Sequence, residues 1–224
     1  MSQKSMTHSL VQRVYNDLLS DLSADRLQAG DRLVEATIAR ERDVSRTPVR
    51  EALGRLENDG LIESVQPYGH VIITPTVEDI REIFAIRRAL EPLAFSSLVE
   101  FATEDDDTEL RLLLADVQAA QTPEDAATSN IAFRNFWMSR IHNRRLKETL
   151  SRFHMQVHLV RAATLKLLNG RETARNGAGK LAESYWARDK KAAQDAMTQF
   201  VDAALVIFEA VAAERPAVQN RRRK

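Results

Sequence analysis

Residues 30–59 read GDRLVEATIARERDVSRTPVREALGRLEND, and the order of helix formers, turn residues and caps in this stretch decides the N-terminal fold. A first helix is expected from about Val34 to Arg42, with Val34 and Ile38 on one face. Asp43, Val44 and Ser45 make the turn. A second helix is expected to open at Thr47, whose hydroxyl can cap it, with Pro48 in the first turn, where a missing N–H costs nothing. Its inward stripe is Val49, Ala52, Leu53 and Leu56. Arg46 and Arg50 stand four residues apart at the start of this helix, the end that enters a major groove first. Arginine suits that place because its fork matches guanine O6 and N7, or phosphate oxygens.

Beyond Gly60, two short strand-like runs at 61–65 and 70–74 flank Gln66, Pro67, Tyr68 and Gly69, the pattern of a β-hairpin. Such a hairpin forms a wing. Gly69 at its tip lets backbone approach a groove, and Tyr68 and His70 have the reach to contact phosphate or sugar. Arginines near a helix start would alone describe any helical hairpin. The order helix, turn, helix, hairpin makes residues 1–75 a winged helix-turn-helix of three helices plus a hairpin.

From Thr76 onward the chain reads as all helix. A capping-box pattern at Thr76-Val77-Glu78-Asp79 opens residues 76–215, and no glycine occurs between Pro75 and Gly170. Amphipathic stretches follow at about 110–120, 131–141, 146–168 and 180–213. Residues 100–125 are strongly acidic and 134–175 strongly basic, as expected of neighbouring helix faces that attract each other. The basic tail, 216–224, is expected to be disordered.

The 224 residues carry 32 basic and 32 acidic side chains, so net charge does not identify a partner. There is no cysteine, which excludes disulfides and thiolate metal sites and fits a reducing cytoplasm. No apolar run is read as approaching the roughly 18 to 20 residues of a membrane helix, and the N-terminus lacks a signal-peptide core. No phosphate loop, nucleophile elbow or pair of catalytic carboxylates is visible, so an enzyme is not expected.

DVSRTPVREALGRLENDGLI followed by YGHVIITP resembles the winged helix of the GntR family of regulators, and EIFAIRRALEPLA resembles the opening of the FCD effector domain of its FadR-like branch. The resemblance covers nearly the whole chain. It implies a dimeric transcriptional regulator, expected to be a repressor, that binds a palindromic operator through Ser45, Arg46, Thr47, Arg50 and Gly69. It further implies an all-helical bundle with a pocket for an organic acid or related metabolite.

Many FCD domains hold a divalent metal with one aspartate and three histidines. Aligned on Asn143, Asp189 and Met197, those positions fall here at Asn130, at Arg134, near Ala178 and at Phe200. A guanidinium does not deprotonate to bind a metal, so no metal cofactor is expected. His154 and His158 share a helical face, but no carboxylate stands near them in sequence to complete a zinc site.

Helical periodicity instead puts Arg87 and Arg134 on inward stripes, and Arg161 on a face with His158. An inward charge needs a partner, either internal or an anionic ligand. Arg87 matches the ligand-contacting arginine that the resemblance implies. Arg87, Asn130, Arg134, His158 and Arg161 are therefore the candidate ligand residues. The alternative is a dimeric repressor whose pocket has lost its ligand.

Overall fold

The computed structural model describes residues 3–23, 26–27, 30–65, 67, 69–73 and 76–214. Tyr68 and the basic tail lie outside the described residues, as does the side chain of His154. The chain divides into two compact units, Met1–Thr76 with Arg152–His158, and Val77–Ser151 with Leu159–Lys224.

The first unit opens with α1 (Gln3–Ser23), which packs Val11, Val14, Leu18 and Leu22 into the core at helical spacing. Strand β1 (Arg32–Leu33) leads into α2 (Glu35–Glu41) and α3 (Arg46–Asn58). The turn between these helices holds Asp43 at φ 51, a left-handed conformation that aspartate tolerates better than most residues. Val49, Ala52, Leu53 and Leu56 of α3 are completely buried, as the stripe predicts. Two details differ from the sequence reading. Val34 precedes α2 in an extended conformation, out of phase with Ile38, and is 42% exposed. Ser45, not Thr47, is the N-cap of α3, and it makes no side-chain cap bond. Pro48 thus sits at the third helical position, still among the amides that have no intrahelical partner.

Strands β2 (Ile62–Ser64) and β3 (His70–Ile72) form the expected antiparallel hairpin, with Ser64 opposite His70 and Ile62 opposite Ile72. The sheet has a third member: β1 pairs with β3 on its other edge, in the order β1-β3-β2. Gly69 is required by the chain itself. Its φ is +92, and a Cβ there would stand 2.8 Å from the carbonyl oxygen of Leu33.

The second unit comprises α4 (Val77–Leu98), α5 (Glu104–Ala119), α6 (Pro123–Ser139), α7 (Arg144–Ser151), most of α8 (His154–Thr164), α9 (Leu168–Trp186) and α10 (Lys190–Glu214). The apolar stretch read at 146–168 is broken between α7 and α8 and again before α9. Thr103 and Asp106 form a reciprocal capping box at the start of α5, Thr122 caps α6, and Asn143 Oδ1 accepts from the Leu146 amide at the start of α7. The core holds Phe84, Phe95, Phe133, Phe136, Trp137, Leu181, Tyr185 and Met197, with Phe95 and Trp137 edge to face. The acidic and basic segments do meet: Arg140 bridges Asp106 and Glu109 of α5 at 2.5 and 2.6 Å.

One reading needs correction. Residues 190–213 of α10 are long and apolar enough, by length and composition alone, to cross a membrane. The run escapes notice because it is rich in alanine and interrupted by Asp202 and Glu209. In the fold those charges pair with Arg88 and Arg81 of α4, and Ala193, Met197 and Val201 enter the core.

The Gly69 geometry makes a direct prediction. Gly69→Ala should cost about 1–3 kcal/mol through its left-handed backbone and the clash with β1. Urea unfolding of the two proteins side by side measures the difference.

Candidate functional site

At the start of α3, Ser45, Arg46, Thr47 and Arg50 are all exposed. The exposed helix start adds unpaired amides and the positive end of the helix dipole, a combination that favours phosphate. Arg50 is already oriented: its Nε and Nη2 donate to the two carboxylate oxygens of Glu35 on α2, both at 2.8 Å. The Glu35 carboxyl lies below the usual range. Hydrogen bonding from Arg50 contributes most and burial opposes it, while the charges of Arg50, His70 and Arg46 add to the lowering. Glu35 thus links three residues that the sequence proposes as DNA contacts. It was not singled out from the sequence, since it lies 15 positions from Arg50 and no local pattern joins them. His70 turns toward α3, with its side chain 14% exposed and Nε2 3.9 Å from Glu57.

The second group is a buried charge cluster in the helical unit. Arg87 is 4% exposed, Arg134 5% and Glu91 0%. Arg87 Nε and Nη2 fork onto Glu91 Oε1 and Oε2 at 2.9 and 3.3 Å, and Arg134 Nη1 reaches Glu91 Oε1 at 2.9 Å. Each guanidinium also stacks on a ring, Arg87 on Phe84 at 4.4 Å and Arg134 on Trp137 at 4.8 Å. Arg161 Nε donates to Asn130 Oδ1 at 3.1 Å, while its Nη1 is enclosed without a hydrogen-bond partner.

Burial alone would raise the Glu91 pKa; the charges of Arg134 and Arg87, with their hydrogen bonds, outweigh it and hold the carboxyl at about 2. Arg161 moves down to about 9, through burial first and then the charges of Arg134 and Arg87, with Glu91 opposing. Among the described residues these three guanidinium groups stand with one carboxylate, Glu91, which bonds Arg87 and Arg134 but not Arg161, a formal excess of two positive charges.

The structure thus joins Arg87, Arg134, Asn130 and Arg161, and adds Glu91. That residue was legible as the i+4 neighbour of Arg87 but was not singled out. His158 is buried on α8 in the segment that groups with the first unit. A cleft of about 280 Å³, lined in part by Phe101, Arg140, His142 and Tyr185, contains none of the cluster residues.

The residues do not fit the metal that the resemblance implies. The Asn130 amide oxygen accepts from Arg161, and Arg134 is a cation bound to Glu91. Ala178 is fully buried, and the Phe200 ring fills the space over Gly177, where a Cβ would stand 2.2 Å from it. Among the described residues, no group of three or more histidine, cysteine or acidic side chains is placed to hold a metal ion.

A helix following a helix and turn, with a three-stranded sheet whose hairpin forms the wing, defines a winged-helix DNA-binding unit, here joined to an all-helical unit. Comparison with known proteins agrees. Residues 10–72 match the family model described as bacterial regulatory proteins, gntR family, and residues 82–203 match the FCD domain. The chain belongs to the gntR family and is a DNA-binding transcriptional regulator with an FCD effector-binding domain. It is 32% identical to the HTH-type transcriptional regulator YdhC of Bacillus subtilis, over 66% of this chain and 67% of that protein. It is 35% identical to the gluconate operon transcriptional repressor of Bacillus subtilis, over 51% of this chain and 46% of that one. The structure of Escherichia coli McbR/YncC superposes with a TM-score of 0.76 at 26% identity, covering 90% of this chain and 97% of that one.

The Glu91 pairing predicts a pH signature. Its folded-state pKa of about 2 lies below the ordinary 4.5, so the stability it contributes is complete above about pH 4.5 and is lost as pH falls through about 2. Glu91→Gln should lose about 3–5 kcal/mol at pH 7, because two buried cations lose their partner. The gap between variant and wild type in urea unfolding should then narrow from pH 4.5 towards 2.

Proposed function

We propose that this regulator is a cytoplasmic homodimeric repressor that grips a palindromic operator through Arg46 and Arg50 and is controlled by a small organic anion bound at the buried arginines. The observation that carries the effector half is the charge imbalance at Arg87, Glu91, Arg134 and Arg161. A guanidinium nitrogen enclosed without a partner, as in Arg161, is costly enough that an anion is its natural complement. Guanidinium groups recognise carboxylates through parallel charge-assisted hydrogen bonds. Arg134 would supply, at a position that is a metal-binding histidine in the family, the positive charge that a metal otherwise supplies.

Exposed apolar residues support the dimer. Ile86 and Leu93 on α4 and Val206 on α10 are 38%, 52% and 63% exposed, and these two helices pack on each other. A two-fold dimer also pairs two recognition helices on a palindrome. The repressor assignment follows the printed name of the gluconate operon relative. The Glu91 pairing favours a second reading, a pocket neutralised from within and needing no ligand. One carboxylate against three guanidinium groups supports the first reading instead.

Two variants separate the halves of this proposal. Arg50→Ala should weaken operator binding by about 1–3 kcal/mol and relax selectivity at one base pair per half-site, with the ligand response intact. Arg134→Met should bind operator normally but ignore the ligand. Gel-shift titrations with and without a panel of organic acids read both effects. Full operator affinity in both Arg46→Ala and Arg50→Ala would overturn the first assignment, and a normal ligand response in Arg134→Met the second.

A further inference from the structure

The charge cluster also sets the valence of what it binds. Arginine is protonated at pH 7, so the three guanidinium groups hold their charge there. Glu91 is equally fixed, being fully enclosed and held ionised by Arg87 and Arg134. The charges that act on Arg161 are those of Arg134, Arg87 and Glu91. On Arg161, otherwise half-buried, the enclosed Nη1 is the part of this charge that lacks a hydrogen-bond partner.

Hydrogen bonding divides the cluster further. The Glu91 oxygens take both donors of the Arg87 fork and one donor of Arg134. Among the described residues no carboxylate is hydrogen-bonded to Arg161. Asn130 holds its Nε, and its Nη1 remains enclosed and without a partner. A neutral amide oxygen orients this guanidinium without reducing its charge.

We propose that the cluster selects a ligand carrying two negative charges, one carboxylate meeting Arg161 at its unpartnered Nη1 and the other meeting the guanidinium of Arg134. Arg161 is then a specificity-determining residue, and Glu91 is the counter-ion that fixes the number at two. A monocarboxylate leaves one buried cation uncompensated, and a tricarboxylate introduces an excess anion. This rests on the reading of the arginine cluster as the effector site.

The test is isothermal titration of the full-length protein with chain-matched acids: malonate against propionate, succinate against butyrate, and glutarate against valerate. In at least one pair the dicarboxylate should bind tenfold or more tighter than its monocarboxylate. Arg161→Met should bring that ratio below about threefold, whereas Arg161→Lys, which keeps the charge, should preserve a dicarboxylate preference. Equal binding of the paired acids by wild type, abolished in Arg134→Met, would overturn the valence claim while leaving the effector site standing. An undiminished preference in correctly folded Arg161→Met would overturn the role of Arg161. Failure of every acid to bind would overturn both the valence claim and the effector reading beneath it.

Discussion

The helical unit is organised around the pairing of Glu91 with Arg87 and Arg134. A fully enclosed carboxylate is tolerated only when hydrogen-bonded charges replace the water it has lost. Here α4 supplies the carboxylate and one arginine a helical turn apart, and α6 supplies the other arginine. The pair therefore ties α4 to α6 inside an otherwise aromatic and aliphatic core. Apolar packing of the same volume would hold these helices together at less desolvation cost. Arg161 adds a further cation beside the pair, held by the amide oxygen of Asn130.

The DNA-binding unit uses charge differently. Its arginines are exposed, and the carboxylate among them sits at the edge of the surface rather than in the core. Glu35 grips Arg50 by two bonds and lies within the field of Arg46 and His70. An exposed ion pair of this kind adds little to stability. Its effect is to keep a flexible side chain extended over the start of α3. The wing is set by equally local constraints, with Gly69 taking a left-handed backbone under the carbonyl of Leu33.

How far the sequence disclosed this depends on whether the signal was local. The buried stripe of α3 and the hairpin were legible because spacing along a helix and alternation along a strand are properties of consecutive residues. Strand β1 was not, since two residues show no alternation and Arg32 and Leu33 become a strand only by pairing with Val71 and His70. The break between α7 and α8 carried no glycine or proline to mark it. Among site residues, Arg87 and Arg134 were legible as charges on apolar stripes. Glu35 was hidden because its partner lies on another helix. Glu91 was within reach, one turn from Arg87, but a glutamate among helix formers is ordinary until its burial is known.

The central claim is that arginine charge stands where related domains place a metal, and that an organic anion completes it. Native mass spectrometry of the gently purified protein tests this most directly. The account predicts that each chain carries the added mass of a small organic acid, lost in Arg134→Met and unchanged by prior treatment with chelator. An added mass equal to one divalent metal ion per chain, removed by chelator, would contradict it.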